Sequence, residues 1–255
     1  MKGRFADLSM ALARWGLVAL FLASWEFGAR IGFVDPFYFS APSRIGHTLY
    51  LWAMEGILFR HLWVTLSEAG AGFLAGLFLG IGCGFLLAAS PRLDAVLQPF
   101  IVILNAMPRI AFAPLIILWF GLGFLSKVVI VVSLVFFVVF FNTYRGFKEI
   151  NPAILKSARV MGATPTQMLF HVYLPATLAW TFASIRVSVG FSIIAAVLGE
   201  YIGASAGIGY LIDNAQANFD STGVMAGLVT LTISVAILDG LLQAIERRYA
   251  VRQSA

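Results

Sequence analysis

A chain of 255 residues that is 60% hydrophobic and 11% charged, with a mean hydropathy of +0.92, excludes an ordinary soluble domain, which runs at about 45–50% apolar and about 25% charged. The composition, with 14% aromatics and 23 Phe, is that of an integral membrane protein. The single Cys83 excludes an intrachain disulfide, and the net charge of +5, a nucleic-acid signal in a soluble chain, is explained here by where the charges fall.

Taken in chain order, six apolar stretches reach the roughly 20 residues needed to cross about 30 Å of hydrocarbon at 1.5 Å per residue. They lie at about 14–33, 62–88, 97–120, 126–144, 177–200 and 223–245, and the whole of 1–255 reads as one transmembrane domain. The first carries Glu26 and Arg30 and lacks a small-residue cleavage site, so it reads as an uncleaved helix and not a signal peptide. Residues 34–60 form an external, interfacial segment. In it the spacing predicts a surface helix from about Ser43 to Phe59, with Ile45, Leu49, Trp52 and Leu58 toward lipid.

The second span holds Gly72, Gly76, Gly80 and Gly84 at intervals of four, one stripe on which another helix backbone can approach closely. The third contains Pro108 and Pro114, which remove backbone donors and predict a bent helix. Beyond the fourth, the polar interruption from Tyr144 to Pro175 is carefully punctuated. Asn151 is placed to cap a short helix with Pro152 at its first position, and Gly162 sits where a left-handed helix end belongs. Thr164, Pro165 and Gln167 then repeat the start signal as a capping box. Past the fifth span, Gly203 to Gly209 reads as an external turn, with no preceding strand to make it a dinucleotide motif.

Lys and Arg set the orientation. Lys2, Arg4, Arg92, Arg145, Lys148, Lys156, Arg159, Arg247, Arg248 and Arg252 fall on one side, ten against the three of Arg44, Arg60 and Lys127 on the other. By the positive-inside rule both termini and the 144–175 loop are cytoplasmic.

Catalytic chemistry has no candidate residues. The chain has no Gly-x-x-x-x-Gly-Lys-[Ser/Thr], so it does not bind ATP by that loop, and His47, His61 and His171 are too scattered to suggest a metal site. What remains is a set of ionisable groups at membrane depth: Glu26, Glu68, Arg109, Arg186, Glu200 and Asp239. Each costs at least about 2.5–3.5 kcal/mol at the bilayer centre and needs protein or water beside it. Two readings stand open: Arg109 or Arg186 pairs with a carboxylate such as Glu26, or an arginine lines a path for an anion, which its planar fork suits.

The run Lys156-Ser157-Ala158-x-x-x-Gly162-Ala163, with Leu174-Pro175 closing it, resembles the coupling loop of ABC importer permeases. Ala41-Pro42-Ser43, Gly56, Thr65-Leu66, Gly72-Phe73, Ala113-Pro114-Leu115, Trp119-Phe120-Gly121 and Gly207-Ile208-Gly209 are similar to the nitrate, sulfonate and taurine type, over about residues 35–245. Lys156 and Ser157 stand where that family has Glu and Ala, so it is the backbone shape set by Gly162 and Pro175 that carries over.

The resemblance implies an all-α type I importer permease fold in the bacterial inner membrane, working as a homodimer. It also implies two copies of a separate ATPase, which hold ATP and Mg and dock on Lys156, Ser157, Ala158, Gly162, Ala163, Leu174 and Pro175. A periplasmic or lipid-anchored binding protein would deliver a small solute, an anion such as a sulfonate, taurine or nitrate, or a vitamin precursor. The competing reading is an ion-coupled secondary carrier, for which internal repeats are expected and none is found.

Overall fold

The computed structural model describes residues 2–253, with the side chains of 2–9, 11, 12, 178, 179 and 245–253 left aside. The side chains of Lys2, Arg4, Arg247, Arg248 and Arg252, counted above, therefore lie outside the described ones. The described backbone is helical throughout, without strands: α1 (Lys2–Arg30), α2 (Pro36–Phe39), α3 (Pro42–Met54), α4 (Ile57–Ala89), α5 (Pro91–Ala106), α6 (Ala113–Phe120), α7 (Phe124–Lys148), α8 (Pro152–Val160), α9 (Pro165–Met168), α10 (Leu174–Ile202), α11 (Ile208–Ala217) and α12 (Ser221–Gln253). Among the described residues α4, α7, α10 from Trp180 and α12 to Ala244 are each long and apolar enough to cross a membrane, and α5 with α6 makes a fifth if counted as one span. The sixth expected span, at 14–33, is a helix that ends at Arg30 and carries Arg14, Glu26 and Arg30. It is not among those that qualify by composition.

The chain falls into two compact units, one of the residues through His61 with Leu211–Thr230, the other of Leu62–Tyr210 with the segment from Leu231. In the first, α3 packs against α1. Its start is capped from a distance: Glu26 accepts from the Ser43 backbone N–H at 3.0 Å and from the Ser43 hydroxyl at 2.9 Å, while Arg30 donates to the same carboxylate at 2.9 Å. The first amides of a helix have no partner of their own, and a carboxylate there also meets the favourable end of the helix dipole. The surface helix ends sooner than expected, at Met54, because Gly56 at φ +73 turns the chain into α4. Its faces are also reversed. Ile45 is buried, and Leu49 and Trp52 are half-buried, whereas Tyr50, Leu51 and Met54 are exposed.

In the second unit, the core is built where α4, α6, α7 and α10 meet, from Ala69, Ala113, Ile116, Val131, Val135, Val139, Ala195 and Ala196 among others. The glycine stripe makes it possible. A Cβ on Gly76 would sit 2.9 Å from Val135 Cβ, on Gly80 2.8 Å from Val139 Cβ, and on Gly84 2.8 Å from the Phe140 carbonyl oxygen, while Gly72 faces Val131 as closely. All four glycines therefore pack on α7, inside the chain.

The third span is broken, not bent. Met107 is forced to extended backbone by the following Pro108, a short 3-10 turn follows at Arg109–Phe112, and α5 meets α6 at 81°. The loop before α10 also differs from two separate short helices. After α9 the chain runs through a π-helical turn at Leu169–Tyr173, where Leu174 N–H bonds Leu169 C=O, directly into α10. The wide turn sits just ahead of Pro175, which has no N–H to give and whose ring would crowd an α-helical carbonyl four residues back.

Because the stripe contact is already at the van der Waals limit, Gly80→Ala overpacks α4 against α7 at about 1–3 kcal/mol, whereas a methyl group on Gly82 would meet nothing within 4 Å. Melting curves of the purified chain should show Gly80→Ala clearly lowered, Gly80→Leu failing to accumulate, and Gly82→Ala unchanged.

Candidate functional site

Residues of the 144–175 loop form a small exposed knob. The Asn151 side chain accepts from Ala153 N–H at 2.9 Å with Pro152 beginning α8, and α8 ends in a Schellman turn: Gly162 N–H bonds Arg159 C=O at 3.0 Å and Ala163 N–H bonds Ala158 C=O at 3.1 Å. Gly162 supplies φ +77 at that end. Thr164 and Gln167 then close the expected capping box, at 3.3 Å and 2.8 Å. Ala158 turns inward and is buried, while Lys156 and Ser157 are exposed, as are Ile154, Val160 at 87% and Met161 at 79%. Leu174 and Pro175 lie at the start of α10, continuous with α9.

The ionisable groups find partners other than those expected from the sequence. Glu26 is the cap of α3, and its ion pair is with Arg30. Arg186 pairs in bidentate fashion with Asp239, at 2.8 and 3.2 Å, not with Glu26. Arg109 has no carboxylate partner among the described residues. It donates to the Asn105 carbonyl at 3.1 Å and side-chain oxygen at 2.6 Å and lies 4.1 Å over the Phe137 ring. A further network has no local signal in the sequence: Asp94, at the start of α5, accepts from Tyr144 and from Lys148, each at 2.6 Å.

Glu200 belongs to a buried cluster that includes Lys127, 1% exposed, Glu68 and Thr65. Lys127 Nζ donates to the carbonyls of Leu122 at 2.5 Å and Gly203 at 2.6 Å. Glu200 accepts from Gly209 N–H at 2.7 Å, and Thr65 Oγ1 from Ile208 N–H at 2.9 Å. One charged group thus ties the turn before α7 to the loop after α10, and the carboxylate ties that loop's far end back to α10. Gly207, at φ +115, lies against the Glu200 carboxyl where no side chain fits. Lys127 is therefore not the solvated external charge that the orientation count takes it for. Its signal in the sequence is the absence of charged neighbours in Phe124-Leu-Ser-Lys127-Val-Val.

Residues 75–251 match the family model of the binding-protein-dependent transport system inner membrane component. The formylaminopyrimidine transport permease protein ThiX of Halalkalibacterium halodurans is 33% identical over 84% of this chain and 85% of its own length. The riboflavin transport system permease protein RibX of Chloroflexus aurantiacus is 31% identical over 90% and 87%, and the taurine transport system permease protein TauC of Escherichia coli 27% over 91% and 86%. Among solved structures, an inward-facing conformation of the MetNI methionine ABC transporter aligns with a TM-score of 0.67 at 22% identity, over 77% of this chain and 97% of that one. The likeness is one of fold, and it agrees with the type I permease fold expected above.

Replacing Lys127 by Met would leave the Leu122 and Gly203 carbonyls without their donor, at about 1–3 kcal/mol for each buried group left unpaired, and would remove the ammonium from the neighbourhood of two buried carboxyl groups. We expect Lys127→Met to lower the melting temperature sharply and Lys127→Met with Glu200→Gln to recover part of the loss, measured on purified protein in detergent.

Proposed function

This chain belongs to the family of binding-protein-dependent transport system inner membrane components and is a permease component of an ABC importer; we propose that two copies of it form the path for a small organic or inorganic anion, with two separate ATPase subunits docked on α8. In this reading ATP and Mg are bound by the ATPase, a solute-binding protein delivers the substrate, and both termini and the dock lie on the cytoplasmic side. The names of the relatives, for taurine, riboflavin and formylaminopyrimidine, support small solutes as the cargo.

The observation that carries the proposal is the capped knob: three apolar side chains, Ile154 and Val160 on a helix of nine residues and Met161 at its C-cap, held out by a helix whose both ends are fixed by hydrogen bonds. Exposed apolar groups on a rigid, polar-flanked support are what a partner's groove buries. Movement of that partner reaches the bundle without slack. From Pro165 the backbone is helical through α9 and the π turn into α10, and α10 packs along α7. ATP-driven closure of the ATPase pair would therefore act on α10 as on a rod, which is the physical requirement for alternating access.

Gly162 has open space around it, so a side chain there meets no clash and the cost is wholly that of the left-handed backbone, roughly 1–2 kcal/mol or more for a residue with Cβ. Gly162→Val should leave the chain inserted and folded but abolish co-purification with the ATPase or substrate-stimulated ATP hydrolysis. Gly162→Asn, which tolerates the left-handed region, should keep both. Normal coupling in the Val variant would remove the dock from α8.

A further inference from the structure

Arg109 differs from the ion-paired cations in having its charge unanswered. Arg30, Lys148 and Arg186 each meet a carboxylate, whereas the Arg109 guanidinium is held by Asn105 on one edge and by the Phe137 ring on one face, and its buried Nε has no hydrogen-bond partner. A buried N–H without an acceptor is costly, and a cation at membrane depth calls for a counter-charge. It is also pre-oriented, since both contacts fix the plane of the fork before anything binds.

The space beside it matches such a counter-charge. A cavity of about 300 Å³ opens at the break between α5 and α6, walled by Phe112, Phe120, Phe137 and aliphatic side chains, with Arg109, Ser133 and the Trp119 indole as the residues that bring polar groups to it. The Ser133 hydroxyl already donates to Ile130 C=O at 2.7 Å, so its oxygen can only accept. No carboxylate lines the cavity. Beyond the guanidinium the walls return little to an inorganic anion for the water it gives up, and an ammonium group would find one acceptor, the Ser133 oxygen, for its three N–H donors. An anionic head with an apolar or aromatic body answers the charge of the guanidinium and suits the rings.

We propose that this cavity is a subsite on the translocation path for an organic monoanion with an apolar or aromatic body, held by the Arg109 guanidinium. The proposal rests on the importer reading for its place on a path, and it narrows the substrate class from anions in general to this kind. A zwitterion such as taurine and a bare ion such as nitrate fall outside it.

The test uses the full chain in lipid nanodiscs, titrated with 4-nitrobenzoate, whose nitro group quenches a nearby indole. Of the six Trp in the chain, Trp119 is on the cavity wall. Expected are saturable quenching that disappears in Trp119→Phe, an affinity at least tenfold weaker in Arg109→Gln and partly restored in Arg109→Lys, and no competition from taurine or nitrate. The neutral 4-nitrobenzamide, tested on the unaltered chain, should bind at least tenfold more weakly, a comparison that needs no variant to fold.

Quenching that never saturates, as for a cavity filled by lipid or by the second copy, overturns the proposal. So does equal binding of acid and amide, or competition by taurine or nitrate at the concentrations at which 4-nitrobenzoate binds. No ATPase or binding protein enters the measurement, so these failures leave the importer reading standing. A chain that binds 4-nitrobenzoate through Arg109 yet never couples to an ATPase would overturn the importer reading instead.

Discussion

Close approach of the α4 and α7 backbones is the constraint on which the second unit depends. Inside a bilayer, burying one leucine against another gains little over leaving it against lipid, so helices are held by dense packing and by polar contacts. The four glycines of α4 supply the first, and Val131, Val135, Val139 and Thr143 of α7 fill the groove they leave. The second is supplied at the end of that seam by Lys127 and Glu200, whose bonds go mainly to backbone. Loops at that end are thus part of the packed structure. Their carbonyls are the acceptors for a charge that has no access to water.

The two parts of the molecule to which we assign a role in transport are built on opposite principles. The knob of α8 is rigid because its ends are capped, yet it leaves apolar side chains in the open. The break between α5 and α6 is the reverse: it interrupts a helix in an apolar setting, and the carbonyl that the break frees, that of Asn105, is taken up by Arg109. Irregular backbone at membrane depth survives only where protein or water satisfies it. Here a single side chain both repairs the break and brings a positive charge to it.

Much of this is readable from the residues, and the division follows the range of the interactions. Gly162, Asn151, the Thr164–Gln167 box and the glycine stripe are local in sequence or repeat with the helix, and the structure has each of them where expected. The face of α3 is not readable. Periodicity locates an apolar stripe by contrast with a polar one, and when lipid and protein interior are both apolar the contrast says little about which way Ile45 points. Pairing Glu26 with a distant arginine overlooks partners four and seventeen residues away, because a helix start after Ala41-Pro42 that needs a cap is itself a reason for a carboxylate. Pro108 signals a disruption. Whether the helix bends or breaks there depends on what receives the freed carbonyl, and that is a property of Arg109 and Asn105 together.

The π turn at Leu169–Tyr173 has a consequence for heredity as well as for shape. A π turn is an α-helix with one residue more than it needs, so deleting any one residue of this stretch would let the helix close to ordinary pitch. Everything before it, α8 and its exposed side chains included, would then swing by about 100° around the axis of α10, the angle one residue occupies in a helix. The bearing of the knob is therefore stored in a count of residues. An insertion or deletion in the turn re-aims the knob in one step, with no intermediate setting between the two.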